Sequence, residues 1–288
     1  MNLFSTSFKI SIAEIIIQLD SDEIIELESG YEPFLVETDV QTNIQVTCKR
    51  SIPEVDFDQY TLAFEAKNDS LRFYSIYQTG NEYCFIIYSQ QNAGEIQHIA
   101  YLNSRFDKWT IYSKDAVALK YPMGPIIMHY LTLYTDAVLM HASCAYDGKK
   151  GRMFSGFSGA GKSTMSRIWA ESGAMIVNDD RLVIRKVDEH FFVYNTPMYY
   201  VDKSKKAPLD AIYLIRHSPV NIANKLTGAT AVSKVMAFCI QNNFERKFIS
   251  KRLAFFDALC AAVPTYELGV VPTADVITYI IQNEQHQS

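Results

Sequence analysis

Gly156-Phe157-Ser158-Gly159-Ala160-Gly161-Lys162-Ser163 satisfies the Walker A pattern GxxxxGK[ST] at every fixed position. The residue types state the chemistry. Backbone N–H groups can converge on a phosphate only where glycines allow close approach and unusual φ/ψ values. A helix starting at the loop's end adds its positive N-terminus at the same point. Lys162 is a mobile cation for the β- and γ-phosphates of a nucleotide, and the Ser163 hydroxyl can ligate Mg²⁺. A short apolar run, Arg152-Met153-Phe154-Ser155, precedes the loop, and the helical pattern STMSRIWAES follows it. That is the strand–loop–helix context the motif requires.

Two further features lie nearby. The next apolar run, Ala174-Met175-Ile176-Val177, ends in Asn178-Asp179-Asp180. If this strand neighbours the loop's strand in a parallel sheet, both carboxylates sit beside the phosphates, where such sheets bind ligands. One could then orient Mg²⁺ while the other accepts a proton from an attacking hydroxyl. Upstream, His141 lies in the apolar segment LMHASCAY. A lone histidine in an apolar strand is usually a satisfied core residue, and its chemistry alone does not lift it above that.

Together these residues resemble the HPr kinase/phosphorylase family, within the phosphoenolpyruvate carboxykinase-like group of P-loop proteins. The family's loop has the form GxSGxGKS, which GFSGAGKS fits, and its following strand ends in an Asp-Asp pair, matched by VNDD. Lys162 precedes Asp179 by 17 residues, and His141 precedes Gly156 by 15, in register with the family's histidine. The resemblance covers Ala137 to Lys186. It implies nucleotide binding, ATP or another triphosphate, by Gly156, Ser158, Gly159, Ala160, Gly161, Lys162, Ser163 and Thr164. It implies Asp179 as general base toward a serine hydroxyl, with Lys162 and His141 as catalytic neighbours. Ser163 and Asp180 would be the Mg²⁺ partners. The implied activity is ATP-dependent phosphorylation of Ser or Thr in a protein or peptide, and the family often forms homo-oligomers.

The chain also departs from that pattern. Thr164 stands where the family commonly has an acidic residue, and no Arg-Gly-x-Gly run follows. Two alternatives therefore stay open. One is a nucleotide-binding module that regulates a partner without catalysis. The other is a carboxykinase-like enzyme on a small acid, whose further His, Lys and Arg are not identifiable. Arg181 or the arginines near residue 250 could reach a phosphate, but no spacing selects one.

The elements that must position these groups follow from the rest of the chain. It has 288 residues, a charged fraction of 20% and a hydrophobic fraction of 48%, the composition of a globular protein of about two domains. Before residue 120, β-branched and aromatic runs alternate with turn residues. They comprise Phe8–Leu19, Tyr60–Ala66, Leu71–Tyr77, Tyr83–Ser89, Ile96–Leu102 and Trp109–Ser113. They predict an antiparallel meander, a sheet or half-barrel, over residues 1–120. Residues 121–288 read as α/β, opening with a helix over Pro122–Tyr134. The expected fold is thus α/β, a P-loop kinase core of HPr kinase/carboxykinase-like type preceded by a β-rich N-terminal domain. With 27 basic and 32 acidic residues the net charge is -5, which gives no global field for nucleic acid or anionic lipid. No run approaches a membrane span. Five scattered cysteines without a CxxC pair argue against a disulfide framework or zinc ribbon and predict a reducing, cytoplasmic setting.

Overall fold

The computed structural model describes residues 4–37, 39–68, 71–92, 94–198, 202–240 and 246–286. The turn signals Lys67-Asn68-Asp69-Ser70 and Asn92-Ala93-Gly94 and the helical pattern Thr230 to Gln241 include Asp69, Ser70, Ala93 and Gln241, which lie outside the described residues. The chain forms two compact units, Met1–Tyr134 with Pro197–Lys203, and Thr135–Thr196 with Ser204–Ser288.

The first unit is built on one sheet. Its strands are β1 (Phe4–Ile12), β2 (Ile15–Leu27), β3 (Ile44–Lys49), β4 (Thr61–Asn68), β5 (Leu71–Thr79), β6 (Glu82–Tyr88), β7 (Ile96–Leu102), β8 (Lys108–Ser113) and β9 (Val117–Ala118). The order is β1-β2-β3-β8-β7-β6-β5-β4, with β9 on β2. From β4 to β8 it is the expected antiparallel meander. Two features differ from the sequence reading. The apolar run Phe8–Leu19 is two sides of a hairpin, folded at Ala13 and Glu14 with φ of 51° and 62°. Strand β3 is inserted parallel to both β2 and β8.

Helix α1 (Met123–Tyr134) belongs to this unit, so the structural division falls one helix after the change of character near residue 120. The reason is aromatic packing. Tyr130 lies 5.1 Å from Phe85, 5.6 Å from Tyr83 and 5.8 Å from both Phe106 and Trp109. Such rings bury large areas and add about 0.5–1.5 kcal/mol per well-placed pair. Alternate residues of β6 (Cys84, Ile86 and Tyr88) join a separate core with Ile99. Burial on both faces makes the strand one continuous apolar run.

The second unit contains β10 (Ala137–Tyr146), β11 (Gly151–Ser155), α2 (Lys162–Glu171), β12 (Met175–Asn178), β13 (Arg181–Val187), β14 (His190–Asn195), β15 (Lys206–Pro208), β16 (Ala211–His217) and β17 (Ile222–Leu226). It continues with α3 (Gly228–Met236), α4 (Arg246–Ala262), β18 (Thr265–Val270) and α5 (Asp275–His286). A mixed sheet runs β15-β14-β13-β10-β11-β16-β18-β17, with β12 on β10. Strands β11, β16 and β18 are mutually parallel, so their carboxyl ends share one edge.

Helices cover both faces of this sheet. Met165, Ile168 and Trp169 of α2 pack with Val276 and Ile280 of α5 over Phe154, Tyr213 and Leu268. Val232 and Val235 of α3 pack with Phe255, Phe256 and Leu259 of α4 over Met140, Met153 and Leu214. Alternate residues of β11 and β16 point to opposite helix layers, which is why both strands read as unbroken apolar runs. The fold of this unit is α/β. All five cysteines are free, with Cys239 and Cys260 half-buried at the margin of the α3–α4 core.

Candidate functional site

The loop begins where β11 leaves the sheet. Gly156 is fully packed: a Cβ there would come within 2.8 Å of the Ile215 carbonyl oxygen and 2.9 Å of the Ala160 side chain. Any side chain would push the loop off β16. At the far end, Gly161 caps α2 with φ 104°, a left-handed conformation that L side chains rarely adopt. Gly161 brings no side-chain cap to α2. A helix's first four N–H groups have no intrahelical partner, so this uncapped start is suited to an anion. Ser163, in the first turn, is exposed, and Thr164 behind it is half-buried.

Lys162 is buried, and its amino group donates to the carbonyl oxygens of Gly156 at 2.9 Å and Phe157 at 3.4 Å. Burial lowers its pKa, with the Asp180 carboxylate working in the opposite direction. The lysine's charge is therefore held at the start of the loop, within the electrostatic reach of Asp180. Two further contacts fix the loop. His217 Nε2 lies 2.8 Å from the Gly159 carbonyl oxygen, and the Ser143 hydroxyl donates to the Lys162 carbonyl at 3.4 Å.

The carboxylates reach this edge by a route the sequence did not show. Strands β11 and β12 are not neighbours, because β10 lies between them. Both run antiparallel to β10, and Met153 and Asn178 sit opposite the same residue, Cys144. The two strands thus point the same way, and their carboxyl ends emerge at one edge on either side of β10. The Asn178 side chain orients the turn, its Oδ1 accepting from the backbone N–H of Asp179 at 2.7 Å and of Asp180 at 3.3 Å.

His141 stands on β10 at this same edge, half-buried rather than in the core. Its Nδ1 lies 3.2 Å from Asp180 Oδ1. On the other carboxylate oxygen, Arg181 Nε lies 3.3 Å away. The backbone seals the cluster: the Ala142 N–H donates to the Asp180 carbonyl at 3.1 Å, and the Ser155 hydroxyl to the His141 carbonyl at 2.9 Å. His141, Asp180, Arg181 and Lys162 therefore form one electrostatic group, with Asp179 adjacent in the same turn.

One structural element had no signature in the sequence. Past Ala142, where β11 has turned away, residues 238–240 take its place beside β10. The His141 N–H donates to the Phe238 carbonyl at 3.0 Å and the Ile240 N–H to the Leu139 carbonyl at 2.7 Å. The Phe238 ring packs edge-on against Phe157, centroids 5.3 Å apart. Between this segment, the loop and the ends of β16 and β18 lies a cleft of about 320 Å³. Only the third dimension joins residues this far apart in the chain.

The donor set fits a magnesium–nucleotide. Mg²⁺ prefers oxygen ligands and is usually held by one or two carboxylates plus substrate phosphates and water. The Ser163 hydroxyl and the Asp179-Asp180 carboxylates are ligands of that kind. No protein-only group of three His, Cys, Asp or Glu poised for a metal exists among the described residues.

No protein-family model and no curated protein matches this chain. Among solved structures, it is similar to the HPr(Ser) kinase/phosphatase from Coxiella burnetii, at 11% identity and a TM-score of 0.33. The match covers 52% of this chain and 97% of that one. No described helix is long and apolar enough to cross a membrane.

Proposed function

We propose that the chain is an ATP- and Mg²⁺-dependent kinase that phosphorylates a Ser or Thr hydroxyl of a protein or peptide. The observation that carries this reading is the shared edge: an uncapped helix start, a desolvated lysine and an aspartate pair with a partnered histidine. The acceptor oxygen attacks the γ-phosphorus while its proton passes to Asp179. The bond from the γ-phosphorus to the bridging oxygen breaks, and that oxygen leaves with ADP, its charge met by Lys162 and the loop amides. The products are a phosphomonoester, ADP and a proton held on the carboxylate. Ser163 and Asp180 would hold Mg²⁺, which would supply charge neutralisation to the phosphates during transfer. His141 and Arg181 hold Asp180 in position beside the lysine.

The same contacts favour a second reading. With one oxygen on His141 and the other on Arg181, Asp180 is engaged as in a structural network. That suits a nucleotide-binding regulator that transfers nothing. Incubation with labelled ATP, Mg²⁺ and cell extract separates the two. The kinase reading expects label in an acid-stable protein band that Lys162→Ala abolishes. Equal labelling by both proteins would defeat it, and tight nucleotide binding without any transfer would establish the regulator.

A further inference from the structure

The geometry points to the cleft beside the loop as the acceptor-recognition pocket, taking a large apolar side chain from a peptide segment that carries the phosphorylated hydroxyl. This inference rests on the kinase reading and adds the class of acceptor to it. Three observations support it.

The first is chemistry. The walls are Phe157, Leu214, Ile215, Ala237 and Phe238, and the rim carries Arg216, Lys234 and Glu267. Phe157 is 79% exposed, in a loop whose other residues before Lys162 are Gly, Ser and Ala. Its backbone alone would serve a phosphate. An exposed ring propped edge-on by Phe238 is a surface for an apolar group.

The second is position. A loop lysine reaches the β- and γ-phosphates, and Lys162 lies against the Gly156 and Phe157 carbonyls. The cleft starts at those same two residues, so it borders the terminal-phosphate end of the site, where the acceptor must arrive. It also lies between β11, whose following helix packs on one face of the sheet, and β16, beneath α3 on the other. Crevices at such a divergence are where open α/β sheets bind ligands.

The third is charge. Arg216 Nε is 3.2 Å and Lys234 Nζ 2.6 Å from the two oxygens of Glu267, leaving the rim one positive charge in excess. An acidic group flanking the apolar residue complements it.

The test uses the whole protein, labelled ATP with Mg²⁺, and a serine-centred peptide library with one residue fixed at each flanking position. Wild type should favour Phe, Leu, Met or Trp over Ala at one flanking position by about tenfold, the scale at which an apolar pocket discriminates. Phe238→Ala should reduce that preference to less than about twofold, with ATP affinity by calorimetry changed by less than about twofold. Ala237→Trp, a substitution at an exposed position that fills the cleft, should do the same. Transfer without an apolar preference, or a preference that survives both variants, overturns the inference alone. A tenfold or greater loss of ATP affinity in both variants would mark the cleft as a nucleobase site and also overturn it. Transfer to no peptide, with wild type matching Lys162→Ala, removes the kinase reading and this inference together.

Discussion

The amino group of Lys162 donates to the carbonyl oxygen of Gly156, the first residue of its own loop, at 2.9 Å. A cation held this way has lost most of its water without gaining a full counter-charge, so phosphate oxygens are better partners than the carbonyls it now has. Lys162→Met keeps the packing and removes the charge. It should weaken ATP binding by about a hundredfold, on the scale of a charge-assisted contact, while the melting temperature stays within about 3 °C. Calorimetry and thermal denaturation on the same preparation check both halves.

The two aspartates separate by kinetics. If Asp179 takes the proton, Asp179→Asn lowers kcat by about 10²- to 10⁴-fold with little change in the Mg²⁺ dependence. If Asp180 serves the metal, Asp180→Asn raises the Mg²⁺ concentration needed for half-maximal rate. His141→Gln should resemble Asp180→Asn in milder form, because it acts through that carboxylate. Reversal of the two profiles would exchange the roles.

A buried ion pair anchors α5 at the opposite end of β11. Arg152 Nε and Nη2 donate to the two oxygens of Glu284 at 2.8 and 2.9 Å, and the Tyr213 hydroxyl donates at 2.8 Å. Both charged side chains are buried. Glu284→Ala leaves the buried arginine with Asp147, 2.7 Å from its Nη1, as the remaining carboxylate partner and should cost about 3 kcal/mol by urea denaturation, the low end for a broken buried pair. Replacing both as Arg152→Met with Glu284→Leu should cost much less. Burial alone would raise the Glu284 pKa, but Arg152 and Tyr213 hold it below the ordinary value. The carboxylate's stabilisation is therefore present above about pH 4.5 and lost as pH falls through the folded-state value.

His98 in the first unit gives the opposite lesson about burial. It is 2% exposed, neither ring nitrogen has a hydrogen-bond partner, and it borders a small cavity of about 20 Å³, enough for one water. Burial lowers its pKa to about 4, with Asp115 opposing and Lys120 reinforcing. Those two residues are themselves paired. The unfolded chain binds this proton more readily, so stability falls as pH drops from about 6.5 to 4, by at most roughly 3 kcal/mol. His98→Phe should flatten that part of the profile in denaturant midpoints measured from pH 7 to 4.

The β1–β2 hairpin carries a local conflict. Glu14 sits exposed at φ 62°, where glycine has no steric cost. Glu14→Gly should raise stability by about 1 kcal/mol, read as a shift of the urea midpoint at unchanged slope.

That hairpin also shows where sequence reading stops. Ala13-Glu14 has none of the Asn-Gly or Asp-Gly character that marks a two-residue turn, so the apolar run through it looked continuous. Strand Ile96–Leu102 and helix Met123–Tyr134 were legible because turn residues bracket the first and an apolar run opening with Pro and Gly marks the second. The strand–loop–helix form of residues 152–171 was legible because its signals are local: an apolar run, glycines and a helical pattern at fixed offsets. The contact of His141 with Asp180 was visible only as a register between two motifs. Phe238 against Phe157 was not visible at all, because nothing local links a ring at the end of α3 to one 81 residues earlier. The insertion of β3 between β2 and β8 escaped for the same reason.

The segment at residues 238–240 acts as a splint. A strand that swings out to form a loop normally leaves its neighbour with bare amide and carbonyl groups. Here Phe238 and Ile240 supply those partners to His141 and Leu139 at the point of departure. The pairing of the sheet that carries His141 thus does not depend on the backbone of the loop. The exchange clock of the molecule should therefore split sharply over a few residues: slow at the amides of His141 and Ile240, fast in the neighbouring glycines.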